Sequence, residues 1–205
     1  TPLTLIKSPL EKVTKDIKLS PAAKNYLAIV DKNANRLLDL VNQLLDFRKT
    51  EIEGYKLNFV HTDVILLIHE TYERFQDTAE KESLKMVIEE DIKSFYAFVD
   101  KEACTKILSN LLSNAIKYAK SKIIIRFESK VNDHFTIDIM NDGNPISNDI
   151  KEKIFKPFYR DESSFHKSGT ELGLPLARSL AEMHEGSLTL EEVFSGLITF
   201  RLRLP

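Results

Sequence analysis

Asn110 and Asn114 stand four residues apart in the segment Asn110-Leu111-Leu112-Ser113-Asn114-Ala115-Ile116-Lys117-Tyr118, so on a helix they share one face. Lys117 continues that face by one turn. Asn is a mediocre helix former that prefers caps, so two carboxamides and an ammonium on an otherwise apolar helix need a reason. One reason is chemical. An amide oxygen can ligand Mg²⁺, an ion that prefers oxygen and often shares its shell with substrate phosphates. Amide N–H groups and a lysine can hold the phosphates themselves. The same spacing also describes a solvated helix face.

Three more segments carry potential chemistry. Ile139-Met140-Asn141-Asp142-Gly143-Asn144-Pro145-Ile146 is a strand running into a turn, and Asn-Asp-Gly is common turn chemistry. Ile154-Phe155-Lys156-Pro157-Phe158-Tyr159-Arg160 reads as an apolar plug beside a loop. Ser168-Gly169-Thr170-Glu171-Leu172-Gly173-Leu174 leads into a helix, where glycines let backbone N–H groups approach phosphate oxygens with help from the helix dipole. None of the three is specific alone.

The elements that must hold these segments follow from caps and periodicity. Asp100 caps a helix carrying Ile107, Leu108, Leu111, Leu112, Ala115 and Ile116 and ending near Lys120. Asp63 caps another that runs to about Lys81. Strands are expected at Tyr55–Val60, Leu84–Glu89, Phe95–Val99, Lys122–Ser129, Phe135–Asn141, Ser187–Val193 and Leu197–Leu204. Ile146–Phe155 reads as a turn and short helix, Tyr159–Thr170 as a polar mobile loop, and Leu172–His184 as a helix. His184 before Gly186 reads as a helix C-terminus, where a cation and a glycine are favoured. Strands and helices mix without strict alternation. The expected class is α+β, a two-layer sandwich with helices on one face of a mixed sheet.

Residues 1–50 differ in texture. No glycine precedes Gly54, and these residues carry a net charge of +4 against −6 for the rest. Leu3, Ile6, Leu10, Val13 and Ile17 step by threes and fours, a heptad seam. Ser20-Pro21 starts a second helix, on which Leu27, Val30, Ala34, Leu37, Val41 and Leu44 repeat the stepping. Two helices joined by a short turn pack antiparallel, and so small a hairpin cannot cover both its seams. A homodimer through residues 1–50, forming a four-helix bundle, is expected.

Composition excludes several classes. With 29 basic and 31 acidic residues the chain lacks the basic excess of a duplex nucleic-acid binder. One cysteine excludes an internal disulfide framework and a Cys-rich zinc site. No apolar run reaches the ~18 residues of a membrane span. The first residue is Thr1 rather than Met, so the chain is expected to be a fragment, located in the cytoplasm.

In this order and spacing the four segments resemble the N box, G1 box, F box and G2 box of the ATP-binding domain of sensor histidine kinases, within the GHKL ATPase superfamily. Residues 1–50 resemble that family's dimerisation and phosphoacceptor hairpin, truncated at its start, and Thr199–Pro205 its last strand. The resemblance covers essentially the whole chain. It implies a helical hairpin over residues 1–50 followed by a Bergerat-type α/β sandwich over 51–205, with ATP and Mg²⁺ as cofactors. By position, Asn114 is implied as the Mg²⁺ ligand. Asn110 and Lys117 would contact phosphates or the metal shell, with Lys117 also catalytic. Tyr118 would flank the nucleotide, Gly143 would admit the purine to the backbone, and Ile146 is a further nucleotide contact. Phe155 and Phe158 would anchor a lid of residues 159–170. Gly169, Thr170, Leu172 and Gly173 would frame the phosphates. The implied reaction moves the γ-phosphoryl of ATP to a histidine and then to an aspartate of a response-regulator receiver domain. The receiver would dock on the first helix around Thr4 and Ser8. The parent would be an inner-membrane sensor.

The chain departs from the family pattern at informative places. The G1 aspartate that accepts the adenine amino proton aligns with Asn141. An Asn carbonyl accepts too, without charge assistance, and Asp142 could substitute if the turn shifts. Pro145 replaces the second G1 glycine. Glu171 replaces the middle G2 glycine, placing a carboxylate near phosphates at a position suited to glycine. The family's His-Glu/Asp-x-x-Thr-Pro-Leu pattern places the acceptor histidine four residues before Thr1. Thr1 would then help orient water for phosphatase chemistry. None of His61, His69, His134, His166 and His184 reads as a replacement, so this fragment is expected to bind Mg·ATP without phosphorylating itself. The alternative is a degenerate module that dimerises and docks a receiver without efficient catalysis.

Overall fold

Ser20 stops the chain before Pro21 and launches a helix. Its Oγ accepts the N–H of Ala23 and its carbonyl that of Lys24. Pro21 sits at the first helical position, where its missing N–H costs nothing. The helix, α1 (Pro21–Glu51), runs 31 residues. Its seam residues Val30, Leu37, Val41 and Leu44 are exposed. Its C-terminal end meets the later elements of the chain, where Phe47 packs on the main core and Asp46 Oδ2 lies 3.0 Å from Lys106 Nζ. The computed structural model describes residues 13, 19–51, 56–130, 134–159, 171–191 and 196–205. The first helix of the expected hairpin (Val13 apart), Thr1, Gly169 and Thr170 lie outside them.

The elements that follow are β1 (Val60–Asp63), α2 (Val64–Lys81), β2 (Lys85–Glu89), β3 (Tyr96–Val99), α3 (Lys101–Tyr118), β4 (Lys122–Lys130), β5 (His134–Asn141), a 3₁₀ turn (Lys153–Phe155), α4 (Gly173–Met183), β6 (Ser187–Glu191) and β7 (Ile198–Leu204). The caps are as expected. Asp63 Oδ1 accepts the N–H groups of Ile65, Leu66 and Phe95. Asp100 Oδ1 accepts that of Ala103.

Five strands form one sheet in the order β2-β4-β5-β7-β6, with β2–β4 parallel and the other pairs antiparallel, so the sheet is mixed. Strand alternation gives it two unlike faces. One row across the inner face reads Ile88, Ile125, Ile139, Phe200, Leu190, and the next Phe127, Ile137, Leu202, Leu188. These rows pack beneath the buried face of α3, which comprises Ala103, Cys104, Ile107, Leu108, Leu111, Leu112 and Ala115. The outer face carries Glu89, Arg126, Asp138 and Arg201 in one row of alternating charge. Arg201 donates twice to the buried Asp138 carboxylate, at 2.8 and 2.7 Å.

Two expectations are corrected. The strand expected at Tyr55–Val60 begins at Val60 instead, in a separate ribbon with β3. The cause is Asp100. Its Oδ2 takes the N–H of Asn58 at 2.7 Å and holds it out of the ladder, and β3 ends at Val99, so pairing starts with Val60 opposite Val99. At the end of α4, His184 is no dipole-facing cation. It is buried, its Nε2 accepts the N–H of Asp100 at 3.1 Å and its Nδ1 donates to the carbonyl of Leu180 at 2.7 Å. Burial pushes its pKa below the usual histidine value, overriding the Leu180 bond and the Asp100 charge, so the ring is neutral at pH 7. Glu185, not Gly186, takes the left-handed conformation that ends the helix, at φ 59°. Gly186 is glycine because a Cβ would collide with the carbonyl of Arg203.

Candidate functional site

Helices α3 and α4 meet where the chemistry-bearing segments converge. Along α3, Asn110, Asn114, Lys117 and Tyr118 form a half-buried stripe beside the fully buried core face. At the start of α4 the N-cap position belongs to Leu172, whose side chain is buried hydrocarbon and caps nothing. Leu172 therefore gives the first-turn N–H groups of α4 no side-chain acceptor, and these groups carry the positive end of the helix dipole. Asn110 brings the two helices together. A Cβ added to Gly173 would lie 3.0 Å from Asn110 Oδ1. An amide and an open helix N-terminus at that separation form a cradle for an anion. Lys117 Nζ lies 4.9 Å from the centre of the Tyr118 ring, so the ammonium rests over an aromatic face at the same end of α3.

The strand β5 supplies the third wall. Asn141 belongs to the inner row Met86, Ile123, Asn141, Ile198, the only polar member of a row facing the helices. It is 1% exposed, and its Nδ2 is buried with no hydrogen-bond partner among the described residues. A buried unpaired amide is costly, by about 1–3 kcal/mol, and so marks a place where something else can bind. Gly143 lies against the same atom. A Cβ there would come within 2.7 Å of both Asn141 Nδ2 and the carbonyl oxygen of Tyr118, so only glycine allows these groups to approach so closely. Ile146, half-buried, packs against the core edge beyond.

Asp142 has a different job from the one open to it on sequence. Its carboxylate accepts the N–H groups of Lys120, Ser121 and Lys122 at 2.9, 3.0 and 3.1 Å, and the hydroxyl of Ser121. Burial opposes its charge, but these bonds win and hold the carboxyl well below the usual carboxylate range. Asp142 thus clamps the end of α3 to the turn after β5. Its acceptors are occupied, which leaves Asn141 as the side chain of the pair with an unspent polar atom among the described residues.

The residues flanking segment 160–170 are also defined. Phe155 is buried, edge-on to Phe200 at 6.3 Å and covered by the Arg178 guanidinium at 3.7 Å. Arg178 also bonds Glu152 at 2.7 Å and the carbonyl of Leu188 at 3.1 Å. A lone arginine on an apolar helix was the signal for this clamp, and sequence reading passed it over. Phe158 is no anchor, being 66% exposed. Its backbone N–H instead donates to the carbonyl of Glu171 at 3.3 Å, so the two ends of segment 160–170 are tied at the neck. Both residues adopt left-handed backbone, with φ 61° for Phe158 and 50° for Glu171. Glu171 therefore does enter the conformation its glycine-like position demands, at a cost in strain.

Three further reactive groups among the described residues are spent in the framework. The Cys104 thiol is buried and pushed up to about 12. His69 Nε2 pairs with Glu90 Oε1 at 2.9 Å, and His61 stacks on Tyr96. Among the described residues no group of three or more His, Cys, Asp or Glu could hold a metal ion, and no helix is long and apolar enough to cross a membrane.

Comparison with known proteins agrees with this geometry. Residues 99–205 match the family described as histidine kinase-, DNA gyrase B- and HSP90-like ATPases, and residues 1–53 match the His kinase A phospho-acceptor domain. Histidine kinase P4 of Formosa agariphila is 30% identical over 214 residues, covering all of this chain and 15% of that protein. The chain thus spans about a seventh of that relative. The catalytic domain of histidine kinase ThkA, in a nucleotide-free form, is 28% identical with a TM-score of 0.66, over 73% of this chain and 96% of that one. ThkA in complex with the response regulator protein TrrA is 25% identical with a TM-score of 0.74, over all of this chain and 57% of that one. With a mixed sheet covered by α3 and α4 and with matches to both family models, this chain belongs to the histidine kinase-, DNA gyrase B- and HSP90-like ATPase family, as the core of a sensor histidine kinase.

Proposed function

We propose that this chain binds Mg·ATP between α3, the start of α4 and the turn after β5, and serves a parent kinase that passes the γ-phosphoryl to histidine and then to a receiver aspartate. The observation that carries the reading is the inward carboxamide of Asn141, buried and without a partner for Nδ2 among the described residues, packed against a backbone that must be glycine. When bound, Mg·ATP supplies the transferable phosphoryl and the cation that offsets its charge. The protein positions and neutralises. Asn114 offers a hard oxygen on the half-buried stripe, and Asn110 and Lys117 flank it one turn to either side. The N–H groups at the start of α4 hold phosphate oxygens. Leu172 excludes water beneath them. Phe158 and Glu171 keep the lid ends together, with Gly169 and Thr170 completing the frame.

The division into residues 1–50 and 51–205 belongs to the same reading. The exposed seam Val30, Leu37, Val41 and Leu44 of α1 supports dimerisation through the hairpin. The receiver domain docks on that hairpin, the acceptor histidine precedes Thr1, and a membrane-anchored parent holds the whole. Thermal melting tests the site. Mg·ATP at about 100 times its Kd raises the Tm by about 5–10 °C. No rise, and no heat on titration, sinks the proposal. Glu171 beside the phosphate frame favours a second reading, a module that binds and docks without efficient turnover. The longer chain including the acceptor segment, incubated with labelled ATP, separates the two by the presence or absence of label on histidine.

A further inference from the structure

A carboxylate and a carboxamide present different edges to a base. A carboxylate only accepts hydrogen bonds, whereas a carboxamide offers one acceptor oxygen beside an N–H₂ donor. At Asn141 the donor is the unsatisfied end. Nδ2 is buried, has no partner among the described residues, and packs against Gly143, where a Cβ would come within 2.7 Å of it. The neighbouring carboxylate cannot share the work, because Asp142 spends its oxygens on Lys120, Ser121 and Lys122. Any base entering this end of the cavity therefore meets a neutral group with both polarities.

We propose that Asn141 reads two adjacent atoms of the purine edge and so admits 6-oxopurine nucleotides, such as ITP and GTP, alongside ATP. The inference rests on the nucleotide-site reading above and deepens it. With adenine, the exocyclic amine donates to Asn141 Oδ1, and Nδ2 donates to the adjacent ring nitrogen. Asn pairing with two neighbouring adenine atoms is a recurrent geometry. With a 6-oxopurine, the amide turns over about its terminal torsion, which is a soft two-fold rotor. Nδ2 then donates to the oxo group and Oδ1 accepts the ring N–H. No hydrogen bond from Nδ2 within the protein locks the amide against that rotation. A carboxylate at the same place has no donor for an oxo group and repels it.

The test is calorimetric titration of the 205-residue chain with ATP and with ITP, each with Mg²⁺. The expected Kd values for the two nucleotides lie within about tenfold of each other. Asn141→Asp widens the gap in favour of ATP by about tenfold or more, since one bidentate pairing is worth about 5- to 150-fold. Asn141→Leu keeps the shape and removes both poles. It weakens both nucleotides about equally, and it serves if the aspartate variant fails to fold by circular dichroism. A wild-type preference for ATP above about a hundredfold overturns the proposal. So does a gap unchanged in Asn141→Asp, or an Asn141→Leu variant that binds both nucleotides as well as wild type. If ATP binds and the selectivity disagrees, only the role of Asn141 falls. If neither nucleotide binds wild type, the site assignment falls with it.

Discussion

Asp142 sits between two readings that one substitution separates. If its carboxylate held the base, its loss would abolish nucleotide binding and leave stability alone. The structure assigns it instead to three backbone N–H groups and a hydroxyl of residues 120–122. Each bond to a charged acceptor is worth up to about 1.5–3 kcal/mol, and the half-exposed setting lets water replace part of that. Asp142→Ala is therefore expected to cost about 2–3 kcal/mol, or about 4–12 °C in Tm for a chain of this size. Asp142→Asn keeps one oxygen aimed at the N–H groups and loses the charge, for about 1–2 kcal/mol. The pH dependence gives a second signature. The folded pKa lies below the unfolded value of about 3.9, so the stability contributed by the charge is present above that value and is lost as pH falls through it. The difference between wild type and Asp142→Asn should stay constant from pH 8 to about 5 and shrink below about pH 4. The assay is urea denaturation across that range, paired with ATP titration at pH 7. An Asp142→Asn variant with wild-type stability and no ATP binding would refute the clamp and return Asp142 to the base site.

Two other perturbations follow from the same geometry. Glu171→Gly should relieve the left-handed strain of about 1–2 kcal/mol, offset by about 0.5–1 kcal/mol of unfolded-chain entropy, and so raise Tm by up to about 6 °C while tightening Mg·ATP binding; a drop in both would contradict the strained placement of Glu171 against Phe158. His184 is neutral in the folded protein with a lowered pKa, so stability should decline as pH falls below about 6.5, where the unfolded chain binds the proton first. His184→Gln should remove that component of the decline in melts between pH 8 and 5.5, and identical pH profiles for the two proteins would count against it.

Much of the architecture was legible because it is local. Asp63 and Asp100 announce helix starts through bonds to residues two or three positions on, and a cap needs nothing distant to be recognised. Ile137, Ile139 and Asn141 share one parity along β5, so alternation alone puts that asparagine on the apolar face. The Asn110–Asn114–Lys117 spacing likewise states a common helix face without any knowledge of what lies opposite. What tertiary structure decided were the long-range partners. The residues from 56 to 59 had strand-like composition, yet Asp100, 42 positions away from Asn58, took the amide that pairing required. His184 read as a cation at a helix C-terminus, and the packing of α4 buries it neutral against the N–H of Asp100. Asn141 stood at the expected base position with Asp142 as a possible substitute, and the return of residues 120–122 beside the turn consumed Asp142 and left Asn141 unpaired at Nδ2 among the described residues. The sequence by itself determined helix faces, caps and strand parity, since those depend on periods of 3.6 and 2. Which polar groups are spent and which remain available depends on contacts between residues far apart in the chain, and these exist only in the folded state.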